Sequence, residues 1–131
     1  MTTPAPHGMV IYACNKAQMT AFYQRTLGLQ LSASHDSHDL LAGPGLSLVI
    51  HAIPAAIAQE ISITTPPALR EDTAIKPMFV VADLAIVRRE AEATGGGLQP
   101  DSRAWQMNGH TMLDGWDPEG NIVQFQQVSP S

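Results

Sequence analysis

Met9-Val10-Ile11-Tyr12-Ala13-Cys14-Asn15 in the first half of the chain has a counterpart in the second, Met78-Phe79-Val80-Val81-Ala82-Asp83. Each stretch opens as a short apolar run with β-branched members, the pattern of a buried strand. Each then reaches an Asn or Asp suited to cap a helix by accepting a hydrogen bond from a free backbone N–H. After Asn15, Gln18 completes a capping-box spacing, and Met19, Phe22, Tyr23 and Leu27 fall on one helical face. After Asp83, Leu84, Val87 and Ala91 do the same. Glycine stops both helices, Gly28 at the first and Gly95-Gly96-Gly97 at the second. Asn15 and Asp83 lie 68 positions apart, as do Gly28 and Gly96. Cap and stop recurring at one offset read as an internal repeat.

Working outward, short strands are expected over residues 29–34, 39–42 and 46–52, separated by His35-Asp36-Ser37-His38 and Gly43-Pro44-Gly45. The second half offers strands near 104–107, 111–116 and 121–128, the last two joined by the turn Asp117-Pro118-Glu119-Gly120. Between the halves, residues 53–75 carry Pro54, Pro66, Pro67 and Arg70-Glu71-Asp72. They read as an exposed connection with a short helix over 55–61. The expected organisation is one α+β domain over residues 1–131. It comprises a first βαβββ repeat over about 7–52, a linker over about 53–75 and a second repeat over about 76–128.

Composition narrows the function classes. The 131 residues include 7 Lys plus Arg and 12 Asp plus Glu, a net charge of −5 without a basic run, so no nucleic-acid footprint is present. The single Cys14 cannot form an internal disulfide, which points to a reducing, cytoplasmic setting and excludes a cysteine-rich zinc module. No apolar stretch approaches the ~20 residues that span a bilayer, and the N-terminus lacks a signal-peptide pattern. With 44% hydrophobic and only 15% charged residues, apolar surface is left to line a pocket or meet a second subunit.

Three motifs in order, Phe22-Tyr23 followed by Leu27-Gly28-Leu29, then Phe79-Val80-Val81-Ala82-Asp83-Leu84, then Asp117-Pro118-Glu119-Gly120-Asn121, resemble the vicinal oxygen chelate superfamily. This is the group of glyoxalases, bleomycin resistance proteins and extradiol dioxygenases. The resemblance implies two βαβββ repeats forming paired curved mixed sheets around a cavity, helices on the outer face, often completed by a second chain. It does not fix the reaction, because one fold hosts many functions.

In metal-dependent members the resemblance places four ligands on cavity-facing strand positions. The first maps onto Gly8, which has no ligating side chain, with His7 adjacent but facing away by strand alternation. The second lies in the strand over 46–52, where Leu46, Leu48 and Ile50 suit a helix-covered face and Ser47, Val49 and His51 the cavity. The third maps onto Pro77, beside Lys76, which would repel a cation. The fourth is Gln124, where metal enzymes carry an acid. A catalytic metal generally needs about three protein ligands, so a family-type centre is not expected. A displaced set of His7, His51 and His110, with Gln124, is the alternative, holding Zn, Ni, Mn or Fe.

Without a metal, the expected site is a ligand-binding cavity lined by Tyr12, Val49, His51, Phe79, Trp105, Trp116, Gln124 and Gln126, with Val10 and Val81 on the same faces. Aromatic and apolar walls with a few amides suit a planar or amphipathic organic molecule. His51 is the one candidate for catalysis, and no cofactor is expected. Cys14 at a strand end reads as a small buried hydrophobe. Asp114 and Asp117 border a turn whose amides they would satisfy. The leading expectation is a metal-free, cytoplasmic homodimer that sequesters a small organic ligand. A metal-dependent lyase or dioxygenase using His51 is the second reading, and a dimeric module without a small ligand the third.

Overall fold

The computed structural model describes residues 4–128. Strand β1 (His7–Ala13) leads into helix α1 (Lys16–Leu27), then β2 (Gln30–Ser34), β3 (His38–Gly43) and β4 (Leu46–Ala52). A short helix α2 (Ala55–Ala58) opens the connection. Strand β5 (Met78–Val81), helix α3 (Leu84–Ala93), β6 (Gly97–Leu98), β7 (Trp105–Met107), β8 (His110–Trp116) and β9 (Ile122–Gln127) follow. The first sheet runs β1-β4-β3-β2 and the second β5-β9-β8-β6, with β7 pairing onto β8. In each, first and last strands pair in parallel, β1 with β4 and β5 with β9, which requires the intervening helical crossover. The two open mixed sheets with helices on one face are the α+β architecture expected from the repeat.

Both helix caps form as read. Asn15 Oδ1 accepts from Gln18 N at 3.1 Å, and Asp83 Oδ1 from Ala85 N at 2.8 Å. The reciprocal half of the capping box does not form. Gln18 Nε2 instead donates to Thr94 O on the far helix at 3.1 Å, while Asn15 N donates to Glu119 Oε2 at 2.9 Å. Gly28 ends α1 at φ 67°, a left-handed turn that a Cβ would strain. Strand β6 was not expected, because Gly97 reads as helix stop; it lies in a tight approach, with the Trp116 ring where a Gly97 Cβ would stand.

Strand alternation divides each sheet into two faces. Met9, Ile11 and Ala13 of β1 turn toward the helices and Val10 and Tyr12 away; in β4, Leu48 and Ile50 are buried while Val49 and His51 are not. The core on the helix side joins Met19, Phe22 and Tyr23 of α1 to Leu41, Leu48, Phe79, Val87, Leu113, Val123 and Phe125. The opposite faces stay open, with Val10 52%, Tyr12 61%, Met78 51% and Val80 62% exposed.

The halves are joined by polar contacts on the helix side. Tyr23 Oη donates to the buried Asp117 Oδ2 at 2.7 Å. Glu119, also buried, accepts from Cys14 N and Asn15 N at 2.9 Å each, and Arg25 pairs with Glu90 between α1 and α3. Asp117 Oδ1 further accepts from Glu119 N and Asn121 N, which is how an Asp-Pro-Glu-Gly turn closes. Asp114, expected to do likewise, instead takes Lys76 Nζ at 2.9 Å and Gln124 Nε2 at 3.3 Å.

Candidate functional site

The open faces carry most of the expected ligand residues in two matching rows. In the first sheet one row joins Val10, Val49 and Leu40, and the next joins Tyr12, His51 and His38. In the second sheet one row joins Met78, Gln124 and Asp114, and the next joins Val80, Gln126, Met112 and Trp105. Trp116 and Ile122 form the row beyond. The chain's two tryptophans therefore both stand on the open face of the second sheet.

Two expected residues are placed elsewhere. Phe79 and Val81 are 7% and 8% exposed and belong to the core on the helix side, Phe79 packing edge-on to Tyr23 at 6.2 Å. The alternation of β5 turns Met78 and Val80 to the open face instead, so the register of this strand is one residue from that assumed. Phe79 still borders a hollow of about 680 Å³ between the starts of β1 and β5, with Gly8, Leu29, Met78 and Val80.

The resemblance implies four metal-ligand positions on the open faces. Seven residues before each cap stand Gly8 and, in the second repeat, Lys76 rather than Pro77. A Cβ at Gly8 would lie 2.7 Å from Ser47 O, so that position has no room for a ligating side chain without a backbone shift. Lys76 places an ammonium there, held by Asp114. The counterpart of Gln124 in the first sheet is Val49, and His51 lies one row beyond it. Gln124 contributes an amide already engaged by Asp114. This set of Gly8, Val49, Lys76 and Gln124 does not fit a divalent metal, which wants carboxylates or neutral imidazoles.

The displaced histidine set is not assembled either. His7 and His51 occupy opposite ends of the paired β1 and β4, five register positions apart or about 16 Å at the strand rise, and His110 begins β8 in the other sheet. Among the described residues no three His, Cys, Asp or Glu side chains are grouped to hold a metal ion. Cys14, half-buried rather than fully buried, has its thiol pKa pushed up by burial and by the Glu119 carboxylate beside it, which leaves it neutral and a weak nucleophile.

His51 has company that its own strand does not reveal. Its ring lies 5.4 Å from Tyr12 and 5.9 Å from His38, nearly parallel to the latter at 13°, and His38 in turn lies 4.8 Å from His35. The register signal that could have found this was present: residues 38 and 51 are directly opposite once the 43–45 turn is taken as the hairpin bend. Beside His51 is an open hollow of about 670 Å³.

Neither the protein-family models nor the curated proteins give a match to this sequence. Among solved structures, a glyoxalase/bleomycin resistance protein from Albidiferax ferrireducens superposes with a TM-score of 0.66 at 15% identity, covering 93% of this chain and 97% of that one. The chain has the glyoxalase/bleomycin-resistance fold. The same fold accounts for a TM-score of 0.64 at 12% identity with the fosfomycin resistance protein FosX from Listeria monocytogenes, over 99% of this chain and 95% of that one. The bleomycin resistance determinant of transposon Tn5 gives 0.57 at 20% identity, over 95% and 98%. Within this glyoxalase/bleomycin-resistance fold, Phe22-Tyr23, Gly28 and the Asp117 turn build the scaffold, whereas the open-face rows carry side chains that the core does not use.

Proposed function

We propose that this chain is a small-molecule binding protein that holds an organic ligand on its open sheet faces, acts as a homodimer in the cytoplasm, and does so without a metal centre of the kind its fold can carry. The observation that carries the reading is the content of the four ligand positions, Gly8, Val49, Lys76 and Gln124: one is closed by Ser47 O and another already holds a positive charge. Around them stand Tyr12, His51, Trp105, Trp116 and Gln126, which offer ring faces and oriented polar groups. Binding rather than turnover suits that set. A second copy is supported by the apolar content of the same faces, where Val10, Met78, Val80 and Trp105 are each more than a third exposed.

Elemental analysis of protein purified without chelator tests the metal statement. The expected result is substoichiometric Zn, Ni, Mn and Fe, unchanged in His51→Ala. A full equivalent of one metal that disappears in that variant overturns the reading. Sedimentation equilibrium tests the dimer, and a monomer at micromolar concentration would remove that part.

A further inference from the structure

A ladder of four rings stands at the end of the first sheet. Tyr12, His51 and His38 stand directly opposite one another on β1, β4 and β3, and His35 joins through the turn, where His35 N donates to His38 O at 2.8 Å. Centroid separations of 5.4, 5.9 and 4.8 Å fall in the range of ring-to-ring contact, with the His38 and His51 rings stacked on each other, so the side chains form one continuous aromatic strip.

The polar edge of the strip is defined by its hydrogen bonds. His51 Nδ1 lies 2.8 Å from Ala52 O, and a carbonyl only accepts, so Nδ1 carries a proton and the neutral ring presents Nε2 as an acceptor. His38 Nδ1 is engaged by Ser37 Oγ at 2.8 Å, which leaves its Nε2 as the outer nitrogen. The acid nearest the ladder on β3, Asp39, is turned to the helix side and bound by Lys16, Thr20 and Ser34. Asp36 is exposed in the turn, the Tyr12 hydroxyl belongs to the strip, and the Cys14 thiol lines the hollow beside His51.

His51 and Ser37 also border the 670 Å³ hollow, whose remaining wall includes Ile53, Pro54, Ala55 and Ala58. That volume is in the range of small-molecule sites, and the wall is mostly apolar, with Ser37, His51 and Gln59 as its polar side chains and Cys14 at its edge. Ladder and hollow therefore share His51, and Ser37, which bonds His38, also lines the hollow.

We propose that they form one site for a planar aromatic compound bearing an acidic hydroxyl or carboxyl group: the ring packs against the aromatic strip, the acidic O–H meets Nε2 of His51, and a substituent enters the hollow. The inference rests on the open-face reading above and gives the ligand its chemistry. An imidazole nitrogen with a free lone pair shares the proton of an acid, and the charge-assisted bond that results is about twice as strong as a neutral one. An ether or ester of the same shape offers no such proton.

Methylumbelliferone and its methyl ether, two planar fluorophores differing in that proton, test this by fluorescence titration of the full chain. Wild-type protein is expected to bind the phenol about tenfold more tightly than the ether. His51→Phe keeps a ring and the hollow, and is expected to bring the phenol down to the ether's affinity. His38→Phe should lower the preference by a smaller factor. Ala58→Trp, which fills the hollow, should weaken both probes together. The proposal is overturned if the two probes bind alike, if neither binds, or if His51→Phe leaves the preference intact. Binding lost in Trp105→Ala but unchanged in His51→Phe would also sink it, while leaving the open-face reading standing.

Discussion

Asp39 in the first repeat and Asp117 in the second are both buried carboxylates that anchor a sheet to α1, and their pKa values move in opposite directions. Burial raises each. At Asp39, hydrogen bonds from Lys16, Ser34 and Thr20, together with the Lys16 charge, outweigh burial and hold the carboxyl below its usual range. At Asp117 every donor is neutral, from Tyr23, Asn121 and the Glu119 amide, and burial wins. Two differences separate the outcomes: Asp117 is the more deeply buried, and only Asp39 has an ammonium beside it to offset its desolvation. The repeats share a backbone plan and differ in which half carries the lock and which the reactive-looking groups. The second repeat's turn ties itself to the first, whereas the equivalent Gly43-Pro44-Gly45 turn makes no such bonds among those described.

Breaking the lock gives the largest effect. Asp117→Ala leaves the Tyr23 hydroxyl and two backbone amides without their acceptor, and stability by urea unfolding is expected to fall by about 3 kcal/mol. A substitution in the equivalent first-repeat turn, Pro44→Ala, should change it by less than about 1 kcal/mol. Equal losses would refute the asymmetry. Glu119→Gln retains one carbonyl oxygen for two amides and turns an NH₂ group toward the other, for a loss of about 2 kcal/mol. Tyr23→Phe removes a single 2.7 Å bond and is expected to cost about 1 kcal/mol.

The smallest effect is the pH dependence, and its sign sharpens the contrast. Asp39 has a folded pKa below its unfolded value of 3.8, so its contribution is present above that pH and is lost as pH falls through the lower folded value. Asp117 has a folded pKa above 3.8, so it disfavours the fold as pH rises through the interval between the two values. Unfolding free energies measured from pH 7 downward should therefore lose their acid decline in part with Asp39→Asn and steepen it with Asp117→Asn. The same sign of change in both variants would contradict the assignment.

The legible part of the molecule was the part fixed by local rules. Asn15, Asp83, Gly28 and the Asp117 turn act through neighbours a few residues away, and each does what cap and turn chemistry requires. Strand alternation likewise turned His51 and Val49 to the open face. The misplaced residues depend on register and long-range partners. Phe79 and Val81 went to the core because β5 is phased one residue differently, and a single-residue slip exchanges the two faces. Gln18 left its capping box for Thr94 because α3 is packed there. The His35–His38–His51 ladder spans three segments, and only the pairing of β3 with β4 makes it visible.

Native mass spectrometry of protein taken directly from its source, without chelator, tests the central claim most directly, because one spectrum reports subunit number, metal and organic ligand together. The expected spectrum is a dimer free of divalent metal, carrying a small organic adduct whose occupancy falls in His51→Phe. A metal-loaded chain, with one divalent ion per subunit released by His51→Ala, would contradict it.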